Sequence, residues 1–246
     1  MSEKKTIKDP VNEGHLTLNI LSSANKFNKW IYETVKPFIK GDILEIGSGI
    51  GNITQCFIED RRRLTCSDIS DSYCSILKDR FKNSSYLHEV RCIDIIHKDF
   101  DNEYADLIGN YDSIIAVNMV EHVENDRLAV QNCGKILRKG GRLVILVPAY
   151  QWLYNRFDTE LEHFRRYRIE DLKTLVAHAG FRIDSARYFN FIGILGWWFS
   201  GSMLRSKNIP ECQMSLFEFL VPLIKVTDRI IMNKAGLSII ISGTKE

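Results

Sequence analysis

Apolar residues in this chain alternate between short continuous runs and longer stretches in which they recur with helical spacing. A run of about four to eight apolar residues, bounded by turn-forming residues, is typical of a strand buried on both faces. Runs of this kind, some closed by a polar residue, lie at Ile43–Ile46, Leu64–Asp68, Tyr86–Cys92, Tyr111–Asn118 and Arg142–Val147. We therefore predict a strand at each of these positions.

Helical spacing dominates between these runs. From Leu16 to Ile39 the large apolar residues recur every three or four positions, which predicts one or two helices broken near Asn25 and ended near Pro37. Further helices are predicted after the first strand and at Asp71–Phe81, Asp126–Leu137 and Ile169–Ala179. Strands that alternate with helices indicate a doubly wound α/β fold with a mostly parallel sheet.

The last part of the chain departs from this alternation. Two more strands are predicted, at Phe181–Phe189 and Leu237–Ser242, with an insertion at residues 190–235 between them. Within the insertion, Ser215–Met232 carries apolar residues on one helical face, and Pro222 is expected to kink or split that helix. The insertion is either a helical cap that forms part of a binding pocket, or an apolar surface for a membrane or a dimer partner.

Composition places the chain among ordinary globular proteins, with 45% hydrophobic and 26% charged residues in 246 positions. This length suits a single domain with an insertion. The formal net charge of +2 argues against a large basic face for nucleic acid. The six cysteines are scattered without a Cys-x-x-Cys pair, so we expect reduced thiols and no metal site. The polar N-terminus lacks the apolar core of a signal peptide, which favours a cytoplasmic location.

Candidate chemistry is concentrated where the first strand ends. Glu45 is followed by three glycines at alternate positions, Gly47, Gly49 and Gly51, and then by a helical pattern. Glycine permits a sharp turn with positive φ and lets the backbone approach a ligand, and the following helix N-terminus offers free N–H groups. The spacing differs from the G-x-G-x-x-G of dinucleotide-binding folds, and no Lys-Ser/Thr pair follows as in a P-loop.

This Glu-x-Gly-x-Gly-x-Gly stretch resembles the first motif of class I S-adenosylmethionine (SAM) dependent methyltransferases. The run Asn118-Met-Val-Glu-His-Val123 resembles the fourth motif of the small-molecule members of that family. The resemblance implies a Rossmann-like fold with a seven-stranded sheet, SAM as the cofactor, and a glycine turn under its methionine part. We accordingly expect one domain, with N-terminal helices to residue 40, a SAM-binding core at 41–148 and an acceptor half at 149–246 that includes a helical cap.

Acids after the next two strands complete the cofactor site that the resemblance implies. Asp68, 21 positions after Gly47, is expected to accept hydrogen bonds from the ribose hydroxyls, with capping of the next helix as the alternative. Asp94 is expected to face the adenine amino group between Ile93 and Ile95, with an ordinary loop acid as the alternative. The other cofactor contacts predicted at the glycine turn and the strand ends are Glu45, Gly47, Ser48, Gly49, Gly51, Asn52, Ile69, Asn118 and Met119.

Trp30 and His122 each have two interpretations. Trp30 either covers the cofactor or packs in the core from an amphipathic helix. His122 either acts as a catalytic base or packs near the cofactor. The motif that contains His122 is not Asn/Asp-Pro-Pro-Tyr, which argues against methylation of amino groups on DNA bases or of glutamine.

The segment after the fifth strand carries the candidate acceptor chemistry. His163 is the first candidate for a base that removes a hydroxyl proton, and Tyr167 is a candidate for contact with the substrate or the cofactor carboxylate. Arg165 and Arg166 are candidates for binding a phosphate or carboxylate. The alternative is a solvated helix start with local ion pairs. Two aromatic residues are predicted to line the acceptor site, Tyr150 and Trp197.

The predicted function is SAM-dependent methyl transfer to a small-molecule, glycan or lipid-linked acceptor, with oxygen as the preferred atom. The His-Phe-Arg-Arg-Tyr segment at residues 163–167 resembles a bacterial methyltransferase subgroup that is often linked with glycosyltransferases and cell-surface glycans. The alternatives are an NAD(P)-binding oxidoreductase and a catalytically silent, methyltransferase-like binding subunit. We expect no nucleic-acid partner. Peripheral membrane contact and a homodimer face are the two alternatives for an apolar surface on the insertion.

Overall fold

A computed structural model describes residues 13–203 and 211–246, which form a seven-stranded sheet flanked by helices. The strands, in chain order, are β1 (Ile43–Ile46), β2 (Leu64–Asp68), β3 (Leu87–Cys92), β4 (Tyr111–Val117), β5 (Leu137–Pro148), β6 (Phe181–Phe189) and β7 (Ser238–Lys245). The polar N-terminal segment 1–12 and residues 204–210 of the predicted insertion lie outside the described residues.

The strand order in the sheet is β3-β2-β1-β4-β5-β7-β6. Strands β1 to β5 pair in parallel, and β7 pairs antiparallel with both β5 and β6. This confirms the predicted doubly wound fold and the antiparallel pairing of the last strand. The strand order reverses between β1 and β4, and ligands of such sheets bind beyond the carboxyl ends of the strands at this reversal.

The helices of the described residues precede β1 or lie between the strands, and the longer ones agree with the predicted apolar spacing. In chain order they are α1 (Glu13–Ser22), α2 (Asn25–Val35), α3 (Asn52–Glu59), α4 (Asp71–Phe81), α5 (Phe100–Glu103), α6 (Asp126–Ile136), α7 (Arg156–Glu160), α8 (Ile169–His178), α9 (Gly193–Trp197) and α10 (Glu211–Ile230). Single 3₁₀ turns lie at Lys36–Phe38, Val120–His122 and Gln151–Leu153, and a π-helical turn at Trp198–Met203 continues α9.

The fifth strand is longer than predicted. It begins at Leu137 instead of Arg142, so the glycine pair at residues 140 and 141 lies within the strand instead of closing α6. Leu137 pairs with Tyr111 of β4 before the register of the two strands shifts. This early pairing depends on a residue 26 positions away in the sequence. The local glycine pattern is instead typical of a helix end, so the predicted start of the strand is wrong.

The long helix α10 continues through Pro222 instead of splitting there. Proline removes one backbone donor from a helix, but burial of an apolar face on both sides can offset that cost. Val221 and Ile224 supply this burial, since both are packed into the core. Glu218 accepts two N–H groups at the start of α2, at 2.9 and 2.7 Å, and Asp228 accepts two N–H groups just after β6, at 2.6 and 2.8 Å.

A hydrophobic core lies on each face of the sheet. On β1, Leu44 and Ile46 point into the core covered by α6 and α8, and Ile43 points into the core covered by α2, α3, α4 and α10. Trp30 belongs to this second core, where its ring lies 4.2 Å from the ring of Phe189. The core interpretation of Trp30 therefore agrees with its packing, and its contact with a cofactor stays a prediction.

The outer face of α10 exposes a stripe of large apolar side chains at helical spacing. Its members are Leu216, Phe219, Leu223, Val226 and Ile230. Trp198 and Phe199 of the π-helical turn are exposed as well. No helix in the described part of the chain is long and apolar enough to cross a bilayer.

Candidate functional site

The glycine turn between β1 and α3 has the backbone conformation that its sequence predicts. Gly47, Gly49 and Gly51 have φ values of 73°, 54° and 85°, a region that side chains with a Cβ rarely adopt. A Cβ on Gly47 would lie 2.5 Å from the Cγ of Met119, and one on Gly51 would lie 2.5 Å from the ring of Phe81. The turn therefore requires glycine for space as well as for conformation.

Asp68 lies at the carboxyl end of β2, directly beside this turn. Its carboxylate accepts the N–H of Gly49 at 2.9 Å and the N–H of Ser70 at 3.0 Å. Burial raises the pKa of Asp68, although these N–H groups oppose the shift. The cap of α4 is Ser70, whose hydroxyl accepts the N–H of Tyr73. Asp68 is therefore not itself the cap of this helix, and each of its oxygens retains lone pairs for a ligand.

The predicted cofactor contacts after β2 and after β3 differ in their exposure. Ile93 and Ile95 are buried in the core, and Asp94 accepts the N–H of Ile96 at 3.0 Å. By contrast, the side chain of Ile69, next to Asp68, is 60% exposed. The exposed apolar side chain beside the glycine turn is therefore Ile69. The contacts predicted for Ile93, Asp94 and Ile95 stay predictions.

Two polar side chains near the turn have buried oxygen atoms. Glu45 accepts the hydroxyl of Thr54 at 2.5 Å, and burial raises the pKa of its carboxyl to about 7. Asn52 donates to the carbonyl of Leu18 at 3.0 Å, and its own buried Oδ1 has no hydrogen-bond partner among the described residues. Helix α1 thus lies over the glycine turn, and Ser48 is buried beneath it.

The chain leaves β4 through a strained residue. Asn118 has a φ of 49°, outside the usual range for a residue with a side chain, and it is exposed at the carboxyl end of the strand. Strain of this kind is concentrated at ligand sites. Met119 follows and fills the space over Gly47. Both residues therefore lie at the reversal of strand order, next to the glycine turn.

His122 follows on the 3₁₀ turn after β4. Its ring is exposed to solvent although protein surrounds it on most sides. This enclosure and the neighbouring His163 lower the pKa of His122. The two imidazole rings meet edge to face, with centroids 4.6 Å apart. The structure therefore brings together the two histidines predicted as candidate catalytic residues, which are 41 positions apart in the sequence.

His163 is held by a fully buried acid. Its Nδ1 lies 2.8 Å from the Oδ1 of Asp158, and the Nε of Arg166 donates to the same oxygen at 2.7 Å. Burial favours the protonated form of Asp158, but His163, Arg166 and a backbone N–H together lower its pKa. An ionised Asp158 favours the tautomer of a neutral imidazole that carries its proton on Nδ1, and in that tautomer Nε2 has a free lone pair.

A second acid, Glu121, lies close to His122 and His163. It is fully buried, and neither carboxylate oxygen has a hydrogen-bond partner among the described residues. Burial raises its pKa to about 7, and nearby His163 and Arg166 oppose the shift. One potential ligand atom of Glu121 lies within 4.8 Å of one each from His122 and His163.

The other residues predicted at the acceptor site have partners within the chain. Arg165 pairs with Asp126 at 2.7 Å, and the Tyr167 hydroxyl donates to the same acid at 2.9 Å. Burial and Asp126 raise the pKa of Tyr167, so its hydroxyl stays protonated. The guanidinium of Arg166 lies over the Trp197 ring at 4.5 Å. These contacts differ from the alternative of a solvated helix start with local ion pairs, since Arg166 is buried and Arg165 pairs with an acid far away in the sequence. Anion binding by either arginine stays a prediction.

Tyr150 adopts the unusual backbone φ of 63° directly after β5. Its ring stacks on Tyr188 with centroids 5.1 Å apart, and burial raises the pKa of its hydroxyl to about 12. The hydroxyl of Tyr150 is therefore protonated, and its side chain is half-buried. Its predicted contact with an acceptor is consistent with the strain but stays a prediction.

Sequence reasoning missed the two acids of the cluster. Glu121 lies inside the Glu-His motif, yet only burial without a partner distinguishes it from an ordinary acid. Asp158 lies five positions before His163, a spacing with no helical or strand meaning across the end of α7. A close reading of the motif could have found Glu121, but Asp158 becomes visible only in the folded chain.

Comparisons with known proteins agree with this geometry. The family model described as a methyltransferase domain matches residues 44–143. Probable polyketide synthase 42 of Dictyostelium discoideum is 24% identical over 155 residues, which is 53% of this chain and 6% of that protein. The chain therefore spans a small part of the curated relatives that it matches. The residues matched by the family model contain the glycine turn and the Glu-His motif.

Solved structures show the same fold. A SAM dependent methyltransferase from Archaeoglobus fulgidus has a TM-score of 0.59 at 19% identity, covering 90% of this chain and 94% of that chain. The N-methyltransferase 2 of Haemonchus contortus, in complex with phosphomonomethylethanolamine and S-adenosylhomocysteine, has a TM-score of 0.60 at 13% identity. This match covers 93% of the present chain and 57% of the Haemonchus contortus chain.

Proposed function

We propose that the chain is a class I SAM-dependent methyltransferase that transfers the methyl group to an oxygen atom of a small-molecule or glycan-like acceptor. The observation that carries this proposal is the Asp158–His163 pair beside the solvent-exposed ring of His122, where the acceptor cleft would lie. A carboxylate that orients an imidazole is the arrangement of a general base for a hydroxyl group. Hydroxyl acceptors need such a base more than carboxylate or thiolate acceptors do.

The residues around the glycine turn fit SAM. Asp68 has lone pairs left for the ribose hydroxyls, and Ile69 offers an exposed apolar surface to the adenine ring. The unpartnered Oδ1 of Asn52 is an acceptor suited to the amino group of the methionine part. When bound, SAM supplies a methyl group on a positively charged sulfur, which is already activated for transfer.

In the proposed reaction, the protein aligns the acceptor and removes its proton. Nε2 of His163 takes the hydroxyl proton, and Asp158 stabilises the resulting imidazolium. His122, in the wall of the cleft, would contact the acceptor. The chain provides alignment and proton removal, because holding two reactants in line supplies much of the rate in transfers from an activated donor.

The exposed stripe of α10 supports a lipid-linked acceptor at a membrane surface. Five large apolar side chains point outward from one helix, and Trp198 and Phe199 add exposed aromatic surface from the preceding turn. Apolar patches of this kind mark contact with a partner or a membrane. In this arrangement the acceptor half, residues 149–246, both covers the cleft and brings it to the lipid.

The direct test is turnover of SAM to S-adenosylhomocysteine in the presence of phosphorylated and lipid-linked sugars. The proposal predicts turnover that depends on one acceptor class, together with binding of S-adenosylhomocysteine in preference to NAD. A catalytically silent subunit would bind S-adenosylhomocysteine without turnover on any acceptor. Binding of NAD without binding of S-adenosylhomocysteine would contradict the proposal and favour the oxidoreductase alternative.

A further inference from the structure

We propose that Glu121, His122 and His163 bind a divalent transition-metal ion, represented here by Zn²⁺, at the base of the acceptor cleft. One potential ligand atom from each of the three residues lies within 4.8 Å of the others. Two imidazoles and one carboxylate form a donor set that suits zinc and related divalent metals. This inference departs from the sequence-based expectation of no metal site, which considered cysteine spacing.

The fold brings these donors together from two segments. Glu121 and His122 lie on the single 3₁₀ turn after β4, and His163 lies in the loop that follows α7. The N–H after His163 donates to the Glu121 carbonyl at 2.9 Å, which fixes the two segments against each other. Metal bonds of about 2.1 Å place donor atoms about 3 to 3.5 Å apart, so small side-chain rotations would close the site.

An independent observation points to a cation. Glu121 is fully buried, and both of its carboxylate oxygens are without a hydrogen-bond partner among the described residues. A buried acid without partners is costly, and proteins normally pair it or use it to coordinate a metal. The guanidinium of Arg166 pairs with Asp158 at 2.7 Å through its Nε, and it forms no hydrogen bond with Glu121. A bound divalent ion would satisfy both oxygens of Glu121.

The surroundings of His163 match those of a metal ligand. A histidine that binds a metal through one ring nitrogen usually donates the other N–H to a carboxylate. Asp158 provides this carboxylate at 2.8 Å, and Asp158 itself is held by the Nε of Arg166 and by the N–H of Asn155 at 3.0 Å. The ring orientation of His163 is therefore fixed, with Nε2 left as the ligand atom.

The site has an open side. His122 is exposed in the cleft wall, so three protein ligands leave at least one coordination position for a ligand from the cleft. A hydroxyl bound to a divalent ion loses its proton more readily than a free hydroxyl. This step rests on the proposed function. The acceptor proton goes to solvent, the oxygen bonds to the methyl carbon as the carbon–sulfur bond of SAM breaks, and S-adenosylhomocysteine leaves.

The metal would therefore change how the acceptor is activated. His163 would act as a ligand, and the ion would replace it as the group that lowers the energy of the deprotonated oxygen. The roles of Asp158 and of the cleft stay the same, because both arrangements need the same ring orientation. Metal binding and methyl transfer can accordingly be measured and can fail separately.

The test begins with protein stripped by a chelator and titrated with ZnSO₄ in a calorimeter. We expect one Zn²⁺ per chain, and at least about tenfold weaker binding for Glu121→Gln and for His122→Ala. Glu124→Gln and His178→Asn are matched controls, since both residues are exposed and lie outside the cluster, and they should bind as wild type does. Thermal melting and S-adenosylhomocysteine binding verify that each variant is folded.

Co²⁺ gives a readout that a structural role would not produce. Bound to the stripped protein, Co²⁺ should give visible absorption bands, and Glu121→Gln should abolish them. Absence of stoichiometric Zn²⁺ binding, or binding unchanged in both cluster variants, would overturn the metal site. If stripped protein methylates its acceptor at the full rate, the proposed function stands and the catalytic role of the metal fails. Zn²⁺ binding with no turnover on any acceptor would support the metal site and contradict the proposed function.

Discussion

At the scale of single residues, the site is built from carboxylates whose surroundings give them different tasks. Asp158 is buried and charged, because it has a histidine, an arginine and an N–H group as partners. Glu121 is buried without partners, and Asp68 keeps lone pairs beside the glycine turn. The residue types alone do not separate these three acids, since only burial and partners distinguish them.

Asp68 gives the first prediction. Asp68→Ala removes the acceptor of two hydrogen bonds from the ribose hydroxyls. Each hydrogen bond contributes about 0.5–1.5 kcal/mol to the binding free energy, and a charged acceptor contributes more. The affinity for S-adenosylhomocysteine should therefore fall by at least several-fold, measured by calorimetry. Asp79→Ala, an exposed acid on α4, serves as the control and should bind as wild type does. Unchanged affinity of Asp68→Ala would refute the ribose assignment.

The second prediction concerns the buried pair of Asp158 and Arg166. Asp158→Asn removes the charge that pairs directly with the buried guanidinium of Arg166, which should cost about 3–5 kcal/mol of unfolding free energy. Urea denaturation measures this loss. The exposed pair of Lys173 and Glu170 is the comparison, and Glu170→Gln should cost less than about 1 kcal/mol. Equal effects of the two substitutions would contradict the importance of the buried pair.

The third prediction is a pH dependence that arises from Glu45. Its pKa rises from 4.5 to about 7 in the folded chain because the carboxyl is buried. A group that holds its proton more tightly when folded stabilises the fold at low pH, and this contribution is lost as pH rises through the folded pKa. The melting temperature should therefore fall from about pH 5 to about pH 8.

Glu45→Gln isolates this contribution. The amide oxygen can still accept the Thr54 hydroxyl, but the side chain no longer titrates. The melting temperature of the variant should fall less steeply over the same pH range. Glu59→Gln, at an exposed acid of α3, should retain the wild-type slope. An unchanged slope in Glu45→Gln would show that Glu45 does not titrate in this way.

At the scale of elements, the strands and most helices could be predicted because their signals are local. Continuous apolar runs mark the parallel strands, and helical spacing marks the helices between them. The two errors, the start of β5 and the continuity of α10 at Pro222, both depend on tertiary contacts. Pairing of Leu137 with Tyr111 and burial on both sides of the proline override the local turn signals.

The fourth prediction belongs to α10. If its exposed stripe contacts a lipid surface, the protein should sediment with anionic lipid vesicles, and Phe219→Glu or Leu223→Glu should reduce the bound fraction several-fold. Ile108→Glu places the same charge on an exposed apolar residue outside this helix and should have no effect. Sedimentation that is absent, or equal in all variants, would contradict membrane contact. A change of oligomeric state in Phe219→Glu would instead favour the dimer face.

At the scale of the whole molecule, the sheet divides the site between two parts of the chain. The ends of β1 and β2 provide the glycine turn and Asp68, while the turn after β4 and the loop after α7 provide the histidine and acid cluster. The first part could be predicted in outline, because its residues follow consecutive strands and match a known motif. The cluster could not, since Glu121 and Asp158 meet only through the fold.

This division also explains why the cofactor is easier to assign than the acceptor. The cofactor half is matched by a methyltransferase domain model over residues 44–143, whereas the acceptor half lies outside that match. Arg165 and Arg166, which the sequence presented as anion ligands, are paired with Asp126 and Asp158 in the fold. Charged residues in a sequence carry no information about partners that lie far along the chain.

The most direct measurement uses SAM labelled with ¹³C in its methyl group, incubated with phosphorylated and lipid-linked sugars. Proton–carbon NMR of the products identifies the atom that receives the label. The account predicts a methoxy signal with the wild type and a strongly reduced signal with His163→Ala, which should still bind S-adenosylhomocysteine. Label on nitrogen or carbon, no label on any acceptor, or an undiminished signal with His163→Ala would contradict oxygen methylation at this cleft.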